Sequence, residues 1–202
     1  MKVGEIMNQK EQILEIANQN NGMVLTKQID EAGLGRWALK SLEESGKLTL
    51  VQRGVYVTKK GYADDFFLLQ QKYPKGVYSH ETALYLHGLS DRSPNKIVMT
   101  FKQGTSTGRM KEDKIRPVVI TNHFEMGITA IKRSGGVTVK VYDVERTIVD
   151  LLRPRYDGDL EQLMPAIKRY ASGSSKDVNK LYRYADIFGV DDKIRNYMGV
   201  LL

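Results

Sequence analysis

The sequence predicts an α+β protein in two parts. Three observations lead there: a helix-rich opening that ends on a short hairpin, a central set of strand-like runs, and a helical tail. In the opening, Ile6, Ile13, Leu14, Ile16 and Ala17 recur at the spacing of one helical face between Gly4 and Asn20, and Asn20-Asn21-Gly22 stops the helix. Met23-Val24-Leu25 is a short apolar bridge, and Thr26 is placed to cap a second, short helix, TKQIDEAG, which Gly33 breaks. Leu34-Gly35 turns into a third helix. Ala38, Leu39 and Leu42 form its inner face, and Arg36, Lys40, Glu43 and Glu44 lie largely on the other side. Gly46 is its C-cap. KLTLV, the turn Arg53-Gly54 and VYV then read as a hairpin. Helix, short helix, turn, helix and hairpin in this order predict an N-terminal winged helix-turn-helix.

After the hairpin, YADDFFLLQQKY reads as a helix broken by Pro74 and Gly76, which marks a boundary between residues 1–75 and 76–202. The second part is expected to be a mixed α/β domain with a helical tail. Ser79 caps SHETALYLHGL and Gly88 stops it. KIVMTF and IRPVVIT are strand-like, and KQGTSTGRMKEDK joins them as a flexible loop. GITAIKRSGGVTVKVYD supplies two more strands around Gly135-Gly136, and Asp143 caps VERTIVDLL. From Asp159 to Leu202 the pattern is helical, with Pro165 either starting or kinking the first helix.

With 202 residues and 41% hydrophobic content, the chain is long enough for one or two packed cores. It holds no apolar run near membrane-spanning length and no signal-peptide core, so a cytoplasmic protein without membrane partners is expected. The absence of cysteine excludes disulfides, thiol nucleophiles and cysteine-ligated metals. The net charge of +7 favours a polyanionic partner. Residues 72–140 alone carry +7, whereas residues 1–60 carry only +2, so the excess lies outside the candidate reading head.

A DNA-reading helix needs side chains for base edges and cations for phosphates. Arg36, Lys40 and Ser41 on the third helix meet the first need. Lys27 and Gln28 open the second helix, Lys47 sits at the helix-to-hairpin junction and Arg53 at the hairpin tip, all suited to backbone contacts. Trp37 is assigned to core packing rather than to a base. Lys102, Arg109, Lys111 and Lys114 are candidate further phosphate contacts. Their loop, GTSTGR, fails the P-loop pattern, because three residues rather than four separate its glycines and no Lys-Ser/Thr follows. His80 and His87 are too far apart for a paired metal site and are assigned to structural hydrogen bonding; Arg146 and Asp150 read as an i,i+4 ion pair. No catalytic residue, metal site or cofactor is expected.

These motifs together resemble a known family. A hairpin module ending in LxxLEExGKLxxVxRGVYV, then YSHETALYLHGLSDRSP, then VYDVERTIVDLL, is similar to AbiEi, the antitoxin of bacterial abortive-infection systems, over about Asn8 to Met198. The resemblance implies a type IV antitoxin, not an enzyme, that opposes a nucleotidyltransferase-like toxin without a stable complex. It also implies that the N-terminal domain binds double-stranded DNA at its own operon promoter and represses it, while the C-terminal domain carries antitoxicity and phage defence. Two alternatives stay open: a winged-helix transcription regulator with a sensing C-terminal domain and no toxin partner, and a nucleic-acid-processing enzyme.

Overall fold

The computed structural model describes residues 3–156 and 160–201, with side chains from 9 to 156 and from 161 to 199. The side chain of Ile6, within α1, lies outside the described side chains, and Asp159 and Leu202 lie outside the described residues. The protein is α+β, and it divides into two compact units, residues 1–72 with 132–139 and residues 73–131 with 140–202.

In the first unit, α1 (Val3–Gln19) is followed by β1 (Met23–Leu25), α2 (Thr26–Glu31), α3 (Arg36–Glu44), β2 (Leu48–Gln52), β3 (Val55–Thr58) and α4 (Asp65–Lys72). The bridge Met23-Val24-Leu25 is a strand, because β3 offers it a free edge; the sheet runs β1-β3-β2, antiparallel throughout. Ile13 and Ala17 of α1 close on Ile29, Ala38, Leu39, Leu42 and Leu48 to form the core, so the inner face read from α3 is the buried one. The C-cap of α3 is Ser45, one residue before the Gly46 expected there; Gly46 supplies the left-handed turn, with φ +68° and its N–H donating to the Glu43 carbonyl. Thr26 does not cap α2. Leu25 occupies that position, with its N–H donating to Gln28 Oε1 at 2.8 Å, and Thr26 is the first helical residue, its otherwise orphaned N–H donating to the Gly54 carbonyl at 2.9 Å.

The second unit is built on β4 (Val77–Tyr78), α5 (His80–Leu86), β5 (Ile97–Lys102), β6 (Ile115–Ile120), β7 (Ile128–Lys132), β8 (Thr138–Tyr142) and α6 (Val144–Leu152). The strands form a mixed sheet in the order β6-β5-β4-β8-β7, with β5 parallel to β6 and antiparallel to β4. The tail consists of α7 (Leu160–Ser172), α8 (Val178–Phe188) and α9 (Asp191–Leu201), and Pro165 lies inside α7. Leu84, Ile148, Leu152, Leu163, Leu181 and Ile194 join α5 through α9 in one core. No helix among the described residues is long and apolar enough to cross a membrane.

Arg146 is the buried polar centre of this unit. Its Nε donates to Asp150 Oδ2 at 2.8 Å and its Nη1 to the carbonyls of His123 and Met126. The guanidinium lies between the rings of Tyr142 and Phe188, 4.6 and 4.2 Å from their centroids. Asp143 caps α6 as expected, accepting from the Arg146 N–H. His87 has the structural bond expected of it, 2.7 Å from Nε2 to the Tyr142 carbonyl. His80 does not. Its ring packs edge-on against Tyr156, and neither ring nitrogen has a hydrogen-bond partner among the described residues.

Candidate nucleic-acid interface

The start of α2 and the tip of the β2–β3 hairpin meet through the Thr26-to-Gly54 hydrogen bond. That bond brings Lys27 and Gln28 beside Arg53. Lys27 and Arg53 are exposed, while Gln28 is half-buried and uses Oε1 to hold the Leu25 N–H.

On α3, burial of Ala38, Leu39 and Leu42 turns Arg36, Trp37, Lys40 and Glu44 to solvent, with Ser41 half-buried among them. Trp37 is 42% exposed, which corrects its assignment to the core. Position 37 lies on the side of the helix opposite the inward-facing 38, 39 and 42, and the indole folds back over Gly35, where an added Cβ would meet Nε1 at 2.2 Å. An exposed tryptophan thus shares a helix face with Lys40 and Ser41.

Three of the candidate cations have carboxylate neighbours. Arg36 makes a bidentate pair with Asp30, Nε to Oδ1 at 2.8 Å and Nη2 to Oδ2 at 2.6 Å. This hydrogen bonding holds the Asp30 carboxyl below its ordinary range and lifts the Arg36 guanidinium further above its own. Lys27 lies 3.6 Å from Glu31 and Lys40 lies 3.9 Å from Glu44. Exposed pairs of this kind are weak, so a phosphate competes for the cations readily. The bidentate pair additionally fixes where Arg36 points.

Lys47 is set apart from this group. It stands at the open end of the hairpin, where Leu48 pairs with Thr58, four to five residues from the tip, or roughly 15 Å at the rise of a strand. There it lines a groove of about 500 Å³ with Lys59 and Lys60. The sequence reading passed over those two lysines. The hairpin register, which brings the end of β3 back beside the start of β2, is the signal that would have found them.

In the second unit Lys102 ends β5, while Arg109 and Lys111 lie on a short 3-10 turn (Gly108–Lys111), with Lys114 just before β6. All four are exposed. The loop expected to be flexible is pinned by Met110, which is buried at 3% exposure. No group of three His, Asp or Glu suited to a metal ion occurs among the described residues.

Residues 11–59 match a family model described as a transcriptional regulator, AbiEi antitoxin. The N-terminal stretch is therefore similar to AbiEi-family regulators over these residues. The match covers the second half of α1, then α2, α3, the hairpin and every candidate DNA-binding residue of the N-terminal unit; α4 and the SHETALYLHGL and VYDVERTIVDLL motifs lie beyond it. No curated protein matches the chain. Among solved structures, the chain is similar to the RV2827C protein from Mycobacterium tuberculosis, with 15% identity and a TM-score of 0.51 over 95% of this chain and 81% of that one. At that identity the likeness concerns the fold alone.

Proposed function

We propose that this AbiEi-family chain is the antitoxin of a type IV toxin–antitoxin system and also represses its own operon. The N-terminal unit acts as a winged helix-turn-helix. The exposed half of α3 enters the major groove, with Arg36 and Lys40 toward bases and phosphates and Trp37 and Ser41 beside them. Lys27 and the Arg53 tip hold the flanking backbone. The functional partner is a nucleotidyltransferase-like toxin opposed without a stable complex, and the second unit carries that antitoxicity. The reading assigns the antitoxin itself no enzymatic step. The observation that carries it is the AbiEi regulator match over 11–59, which falls on the helix-and-hairpin stretch where the exposed cations gather.

The test is a gel shift of the full chain on duplex from its own upstream region, against an unrelated duplex of equal length, at low and moderate salt. Binding is expected to be selective and to weaken steeply with salt. Arg36→Ala and Lys40→Ala are expected to cost about 1–3 kcal/mol for each base-directed contact. A folded double variant that binds like the parent would remove the assignment. Growth rescue of toxin-expressing cells by the full chain, lost on deleting residues beyond about Tyr78, tests the antitoxin half.

A further inference from the structure

The second unit contains a cleft of about 280 Å³ that the promoter-binding reading does not use. Arg153 and Arg155 make part of its lining cationic, Ile187 and Phe188 make part apolar, and Asn122 and His123 supply polar edges. Among the described residues, none that lines it carries a carboxylate. A second basic cleft of the unit, around Arg92, Lys96 and Arg116, differs in this respect, because Glu81 lines it and pairs with Arg116 at 2.7 Å.

The cationic part is held in place with donors to spare. Arg153 donates Nη1 to Asp150 Oδ1 at 3.0 Å, and Arg155 donates Nη2 to the Val119 carbonyl at 3.3 Å. A guanidinium has five N–H groups, so each arginine keeps others for a ligand. His123 is also held at the cleft. Its backbone takes φ +58°, a left-handed conformation that is unfavourable for a residue bearing a side chain. The Arg146 Nη1 bond to its carbonyl, 2.9 Å long, keeps it there, and its ring stands edge-on to Phe188 at 5.4 Å. Ile187 is 40% exposed, an apolar surface left open at the mouth.

We propose that this cleft binds a nucleoside monophosphate, either free or as the 5′-phosphorylated end of a strand. Arg153 and Arg155 take the phosphate, for which paired guanidinium forks are well shaped. His123 and Ile187 cover the planar base, and the Asn122 amide, both donor and acceptor, meets its edge. The volume lies at the small end of ligand cavities and suits one nucleotide rather than a dinucleotide cofactor.

Calorimetric titration of the full chain tests this with adenosine, guanosine and uridine monophosphates, the matching nucleosides, inorganic phosphate, and dinucleotides with and without a 5′ phosphate. At least one monophosphate is expected to bind saturably, at least tenfold tighter than its nucleoside or inorganic phosphate. Arg155→Ala and Ile187→Asp, both at exposed positions, are expected to lower affinity tenfold or more with an unchanged melting temperature. Tighter binding of the free monophosphate supports the cleft as a small-molecule site, and tighter binding of the phosphorylated dinucleotide supports a strand-end site. Three results would overturn the proposal: no saturable binding up to about 1 mM ligand, inorganic phosphate binding as tightly as the monophosphates, or parental affinity in the Arg155 variant.

Discussion

His80 is held under unusual conditions. It is 1% exposed, its φ is +53°, and its ring nitrogens lack partners among the described residues. Burial pushes its pKa down to about 4, against the raising influence of Asp150 and Glu81, while Arg116 and Arg146 lower it further. The unfolded chain titrates near the ordinary value, so above about pH 6.5 both states are neutral and stability is unaffected. Between about 6.5 and 4 the unfolded state binds a proton that the folded state refuses, and stability falls. Urea unfolding of the parent is expected to lose about 2 kcal/mol from this residue between pH 7 and 5. His80→Asn, which tolerates the left-handed backbone and cannot titrate, is expected to flatten that part of the profile. An identical pH dependence in the two proteins would show that His80 is not its source. The spacing of His80 and His87 argued for structural hydrogen bonding, but no periodicity shows which histidine finds a carbonyl. That depends on where Tyr142 ends its strand.

The hairpin illustrates the same division for an element. Its strands and turn were legible because Arg53-Gly54 separates two short apolar runs. Gly54 takes φ +78° and its Cβ position is open, with Thr26 Oγ1 the nearest atom at 3.6 Å. Gly54→Ala therefore costs backbone strain rather than a clash, about 1 kcal/mol by denaturant unfolding. Gly108→Ala, at a position without positive φ and with open space, is expected to be neutral by the same measurement. The second role of the turn was not legible. Gly54 gives its carbonyl to Thr26, and this bond satisfies an N–H at the start of α2 and sets the tip beside it. Likewise, the outer face of α3 followed from the period of its apolar residues, but the exposure of Trp37 did not, because its size suggested burial more strongly than its position suggested solvent.

Across the whole chain, the connection between β7 and β8 shows what sequence distance conceals. Residues 132–139 group with the N-terminal unit, although some sixty residues separate them from Lys72. Arg133 reaches Asp64 through Nε at 3.0 Å and Nη2 at 2.8 Å, and its guanidinium covers Phe66 at 5.1 Å. Asp64 is buried, with its other oxygen accepting from the Phe67 N–H. Arg133→Ala strands that carboxylate and is expected to cost on the order of 2 kcal/mol. Adding Asp64→Asn removes the stranded charge and is expected to restore part of the loss in thermal unfolding. Equal destabilisation in the single and double variants would deny the pair its role.

The sequence by itself determined the α+β class, the order of helices and strands apart from β1 and β4, the inner faces of α1 and α3, the glycine turns and the AbiEi resemblance that the match over 11–59 supports. These are local properties, written in spacing, capping and backbone freedom within a few residues. The tertiary structure alone decided the partners of Arg36 and Arg133, the gathering of Lys47 with Lys59 and Lys60, the isolation of His80 and the cationic cleft of Arg153 and Arg155. Each of those depends on side chains brought together by packing and strand register, which local pattern does not encode.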